Sequence, residues 1–262
     1  LKKVWQRFVT ACTGVIKMVR LIPSTMFVKD PVDVWGKEVS IGPAEQALRT
    51  QFPYVYNRSG NVIFWDDFES PTIKPYLHAT GTGGSCNRST DAALNGDFSM
   101  KLITGNVENN SCTAKYYLDN FRFGKLGILA HLMTHNVQVA YTLSLQYFDG
   151  ATLHVGRIKV DVSDGKVYYG YPTPTTHIGT ISWYTSGTVD LFMPIKLVID
   201  IDNNVFDKLY IARNEIDMNN YSLYTADNTT NQNVIAEIEF MTKANASYTA
   251  YLDNVVITDN EQ

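Results

Sequence analysis

Along the chain, apolar residues follow two different periods. Val4, Phe8, Ala11, Cys12, Val15, Met18 and Val19 recur at helical spacing and form one apolar stripe opposite a basic face, so residues 4–19 are predicted as an amphipathic helix. A stretch punctuated by Pro23 and Pro31 follows, and Pro43 suits the first turn of a second short helix over 42–51. The apolar residues of 1–60 are too few and too interrupted to enclose a core, so this part is expected to be an arm. From Asn61 onward the period changes to two. Short alternating runs rich in aromatic and β-branched residues predict strands near 61–68, 75–81, 97–104, 112–119, 137–148, 153–162, 166–170, 177–184, 194–201, 206–212, 234–241 and 248–258. Asp149-Gly150 and Asp164-Gly165 are hairpin signals, and Asp202-Asn203-Asn204 breaks two strong strands. Ten to twelve strands at this spacing imply an all-β, two-sheet jelly-roll sandwich over 61–262, preceded by a partly helical arm.

Composition supports a folded chain and narrows its partners. The 262 residues are 45% apolar, enough for a core without disulfide staples. The net charge of −4 hides an asymmetry: Lys2, Lys3, Arg7, Lys17 and Arg20 stand in residues 1–28 with no acid, whereas 199–262 is strongly acidic. Such polarity suits head-to-tail contacts, although a solvated basic helix explains the arm equally well. An acidic sandwich disfavours nucleic acid. No window reaches the roughly 20 apolar residues that span a bilayer. The first residues, interrupted by Arg7, Lys17 and Arg20, do not read as a signal peptide, and Leu1 fits either trimming or an alternative start. Three cysteines leave at least one unpaired; Cys86 and Cys112 flank the GDFSMKL run, which leaves a bridge between them open.

Three pieces carry a resemblance: NVIFWDDFES (61–70), NGDFSMKL (95–102) and YLDNVVITD (251–259). They resemble the opening, inner and closing strands of many carbohydrate-binding modules, and 194–214 resembles the back-sheet hairpin of concanavalin A-like and laminin-G-like jelly rolls. One such sandwich serves lectins, glycan-binding modules, glycosidases and virion proteins, so the motifs speak to fold more than to task. The layout of arm, Arg58-Ser59-Gly60-Asn61-Val62-Ile63 junction and single jelly roll also resembles structural proteins of tailed phages and environmental viruses. That resemblance implies a virion structural role without catalysis. The arm residues Val4, Phe8, Val15 and Val19 would bury their stripe on another copy or another virion protein. The alternative is an extracellular carbohydrate-binding module whose partner is a polysaccharide.

Related jelly rolls pin their first and last strands with calcium, which implies a structural Ca2+ on Asp67, Glu69 and Asp253, completed by carbonyls near Asn95 and Asp97. Strand-end decoration is the plainer account of the same acids. Tyr168, Tyr169, Tyr171, Trp183 and Tyr184 form the candidate contact surface for glycan or a partner subunit, with alternation expected to send about half of them inward. Residues 215–220 approach the E-x-D-x-x-E signature of jelly-roll glucanases, but Asn220 replaces the second glutamate, and a retaining glycosidase needs both carboxyls. His131 and His135 have the spacing of a zinc helix but lack the glutamate of H-E-x-x-H, and are expected to be unrelated surface or edge histidines. No catalytic set emerges.

Overall fold

The computed structural model describes residues 60–119, 124–183, 191–212, 214–227 and 233–261. The expected helices at 4–19 and 42–51, and with them Val4, Phe8, Val15 and Val19, lie outside the described residues. What is described is antiparallel β-structure, and none of it is a helix long and apolar enough to cross a membrane.

Sixteen strands form two eight-stranded sheets among the described residues. Sheet I takes β13 (Asn214–Asp217), β12 (Val205–Ile211), β11 (Met193–Asp200), β6 (Lys125–Thr134), β16 (Thr249–Asp259), β4 (Ser99–Ile103) and β3 (Ser85–Ser89) in that order, with β1 (Asn61–Asp66) also on β16. Sheet II runs β10 (Thr176–Thr180), β9 (Lys166–Tyr169), β8 (Thr152–Asp161), β7 (Val139–Phe148), β15 (Asn233–Thr242), β5 (Ser111–Asp119) and β2 (Tyr76–Ala79), with β14 (Tyr224–Asp227) also on β8. Alternation explains most of this. In β15, Val234, Ala236, Ile238 and Phe240 point into the core with no exposure, while Glu237 and Glu239 take the opposite face. Asp149-Gly150 joins β7 to β8 and Asp164-Gly165 joins β8 to β9, as hairpin chemistry requires, both glycines having positive φ.

Four strands depart from the sequence expectation. The largest is β6, KLGILAHLMT, buried from Leu126 to Thr134. It lies between β11 and β16, and its outer face is covered too: Met133 packs with Ala92 and Phe192, with Leu94 and Tyr251 against them. A strand apolar on both faces has no period-two signal. This overturns the expectation of a surface or edge histidine at 131, since His131 stands within β6 and is buried, whereas His135, just past the strand, is exposed as expected. The short polar strands β3, β13 and β14 carry too little alternation to be seen.

The first and last strands meet, as their residues suggested. β16 runs beside β6 over its length, but its other side is shared: β4 pairs with Thr249–Leu252 and β1 with Val255–Asp259. The exchange falls on a bulge between Asp253 and Val256, with Asn254 at φ +49°.

The sheets approach closely at Gly156, where an added Cβ would overlap the Ile199 side chain and crowd Leu223. Gly156→Ala is expected to cost about 1–3 kcal/mol by overpacking, read as a lowered urea midpoint at unchanged m-value.

Candidate functional site

Two places gather polar side chains. The first lies at the handover on β16. After β1, Asp66 Oδ1 accepts the Phe68 N–H and Asp67 Oδ1 accepts the Glu69 N–H, each at 3.2 Å. These consecutive Asx turns hold Phe68 at φ +59° and sink its ring into the core. Arg88 clamps the turn, donating from Nε to the Phe68 carbonyl (2.5 Å) and from Nη2 to the Glu69 carbonyl (2.7 Å), with its guanidinium over the Phe98 ring. Glu69 thereby reaches the segment before β4, where its Oε1 accepts the N–H groups of Asp97 (3.0 Å) and Phe98 (2.8 Å). Asp253 captures the same segment from the other side: Oδ2 accepts Leu94 N–H at 2.7 Å and Asn95 N–H at 3.4 Å, and Oδ1 accepts Asn254 N–H at 2.7 Å.

Electrostatics at this node are costly. Burial, with the Glu69 charge adding to it, pushes the fully buried Asp253 carboxyl up to about 7 against the pull of its three N–H donors. Across the ladder from Asp253 stands His131. Burial holds its imidazole down at about 4, and its Nδ1 lies 3.4 Å from the Asn254 carbonyl. The Asn254 side chain is buried with neither polar atom partnered among the described residues. Of the three acids read from the sequence, the structure brings Glu69 and Asp253 onto one segment, while the Asp67 contact is local. No group of three or more His, Cys, Asp or Glu converges as a metal site among the described residues.

The second place is the outward face of sheet II. Cross-strand register lines up Tyr76, Lys115, Glu237, Ser144 and Arg157 in one row. The next row is His78, Thr113, Glu239, Thr142, Lys159, Tyr168 and His177. Ion pairs fix the long side chains: Lys115 to Glu237 at 2.9 Å, Arg157 to Glu239 at 2.7 Å and Lys159 to Asp161 at 3.5 Å. The floor is buried, with Thr142 and Ser144 at 1% and 0% exposure, whereas Tyr76 and Tyr117 at the β2/β5 edge are 59% and 61% exposed. Ser144 Oγ and Arg157 Nε are buried without a partner among the described residues. An unpaired polar atom in such a floor is costly unless something else satisfies it.

The five aromatics read from the sequence do not form one patch. Tyr168 belongs to this face, with Lys159 Nζ 4.4 Å from its ring centroid, His177 at its edge and its hydroxyl donating to Asp164. Tyr169 points inward against Phe206 and Tyr221, and Trp183 packs on Tyr141 at the core. Tyr171 stacks on Tyr224 at 4.7 Å, and Tyr184 lies outside the described residues. Glu215 is on edge strand β13 of the other sheet, paired with Lys208. The face residues the sequence reading missed had a signal: Arg157, Lys159 and Asp161 alternate in β8 as Glu237 and Glu239 do in β15.

No family model and no curated protein matches the chain. Solved structures do match in fold. The cellulose induced protein Cip1 is 13% identical with a TM-score of 0.51, over 74% of this chain and 96% of its own. The endo-β-1,4-glucuronan lyase of Trichoderma reesei is 12% identical with a TM-score of 0.51, over 76% and 96%. A Bacillus subtilis protein of unknown function with a galectin-like fold is 9% identical, also at 0.51, over 77% and 97%. At these identities the likeness is one of fold, a jelly-roll sandwich of the galectin-like kind, and nothing in it links the chain to virion proteins.

Two outcomes test the β16 node. Gly96 has φ +70°, and a Cβ there would overlap the Glu69 carboxyl, so Gly96→Ala should cost about 1–3 kcal/mol in a urea titration. For Asp253 the folded pKa lies above the unfolded one, so its contribution to stability is full below about pH 4 and lost as pH rises through 7. Asp253→Asn sacrifices acceptor bonds at every pH, but in chelator its deficit against wild type should narrow by roughly 2 kcal/mol between pH 5 and pH 8.

Proposed function

We propose that this protein binds polysaccharide through the outward face of sheet II, acting outside the cell. One observation carries the reading: cross-strand register sets ion-paired Lys115, Glu237 and Arg157 in one row and Glu239, Lys159 and the Tyr168 ring in the next, on one outward face with exposed Tyr76 and Tyr117 at its edge. Sugar hydroxyls donate and accept at once, so they suit a face that presents acids and bases side by side. Ion pairing holds the neighbouring acids and bases in place before a ligand arrives, which lowers the ordering cost of binding. Tyr168 and Tyr76 add aromatic faces along the rows for ring stacking. A row of seven strands is about 28 Å wide at ordinary strand spacing, long enough for several linked sugars. The fold shared with a cellulose induced protein and a glucuronan lyase supports the same class of ligand.

The test is a panel of neutral and acidic polysaccharides on the full chain. Saturable binding is expected, weakened at least tenfold by Tyr168→Ala and three- to tenfold by Tyr76→Ala, the latter at unchanged stability because the Tyr76 ring is exposed. Binding to no polymer, or binding indifferent to both substitutions, would sink the proposal. Release of reducing ends or unsaturated sugars from a bound polymer would turn it from a binding protein into an enzyme.

We also propose that Glu69 and Asp253 hold a structural calcium ion. The residues fit in kind: a buried Asp253 carboxyl with the Glu69 carboxylate close enough to add to the rise of its pKa to about 7, and beside them the buried side chain of Asn254, without a partner among the described residues. With only two such carboxylates, backbone carbonyls of the 91–98 segment would supply the remaining oxygens, and the ion would remove the repulsion between the acids. Millimolar Ca2+ should raise the unfolding midpoint by several degrees over chelator, with Asp253→Asn abolishing the response. An unchanged wild-type midpoint would dismiss the ion.

A further inference from the structure

Cys86 and Cys112 come from different sheets, Cys86 on β3 of sheet I and Cys112 on β5 of sheet II. The 80–84 connection brings β2 of one sheet and β3 of the other together, and Cys86 packs on the core at the place where Cys112 is fully buried. Both are free thiols. Cys112 Sγ also lies 2.6 Å from the Ile103 carbonyl and 3.4 Å from that of Ser85, while Cys86 Sγ is 3.6 Å from the His78 carbonyl. These contacts hold both sulfurs in one small volume between the sheets. Cys112 Sγ thus reaches the residue next to Cys86, and Cys86 Sγ reaches the strand that pairs beside Cys112, which puts the two thiols in the neighbourhood a bridge requires.

We propose that Cys86 and Cys112 are a redox modification site, closing under oxidising conditions into a disulfide that fastens the two sheets together. The two thiols differ in role. Cys86 is half-buried and the neighbouring Cys112 thiol lowers its pKa, which makes it the attacking sulfur. Its thiolate attacks one sulfur of an external disulfide and releases the first thiol. Cys112 then attacks the mixed disulfide, releases the second, and the S–S bond is formed; two electrons and both thiol protons end on the external reagent. The bridge encloses residues 87–111. That loop contains the backbone N–H groups of Leu94, Asn95, Asp97 and Phe98 held by Asp253 and Glu69, so closure also tethers the segment on which the β16 node depends.

Incubation of the full chain with glutathione disulfide tests this. After oxidation, one alkylatable thiol, Cys12, should remain of three, with Cys86 and Cys112 joined in a linked peptide by mass spectrometry. The unfolding midpoint should rise by roughly 5–10 °C and fall back on reduction. Cys86→Ser should show no response to either reagent. Three free thiols, a persistent glutathione adduct or a bridge through Cys12 would overturn the pairing, and a Cys86–Cys112 bridge without a rise in midpoint would overturn its fastening role. The linked peptide is read on wild-type protein, so it decides even where the variant fails to fold.

Discussion

The handover on β16 is the constraint on which sheet I depends. One strand must pair with β6 along its length and yet serve two neighbours, β4 and β1, on its other side. A change of partner leaves backbone groups without a ladder, and buried backbone groups must be satisfied somewhere. Here two carboxylates do it. Glu69 and Asp253 accept four N–H groups of the segment leading into β4, and that segment then lies over the outer face of β6, where Ala92 and Leu94 meet Met133. The acids of the DDFE opening and of the LDN closing strand are therefore parts of one joint, built from opposite ends of the domain.

The cost of this joint is charge. Asp253 carries a carboxyl with its pKa raised to about 7 beside a histidine held neutral, so the node sits near a protonation boundary at ordinary pH. Sheet II solves the same problem differently. Its outward acids, Glu237, Glu239 and Asp161, each have a cation within 3.5 Å, and Ser144 Oγ and Arg157 Nε in the floor are among the buried polar atoms without a partner among the described residues. One sheet thus spends its acids on its own backbone, whereas the other presents a charge-balanced face with hydrogen-bonding capacity to spare.

Much of the fold was legible because alternation is a local signal. Twelve strand positions, two Asp-Gly hairpins and the meeting of first and last strands were all readable from residue pattern. The principal miss, β6, was invisible for a physical reason: burial on both faces replaces alternation with a continuous apolar run. Site reading fared unevenly. Tyr168 lies on the sheet II face, but Tyr169 and Trp183, from the same aromatic-rich stretch, pack into the core.

By itself, the sequence determined the all-β class, the change of period at Asn61 and the acids at strand ends, since each follows from side-chain type and spacing within a few residues. Tertiary structure alone decided what those side chains face. Register across four strands put Lys115, Glu237, Ser144 and Arg157 in one row, and closure of the sandwich brought Cys86 close to Cys112 and Glu69 to Asp253's segment. Such contacts join residues far apart along the chain, and only the packing of two sheets fixes the distance between them.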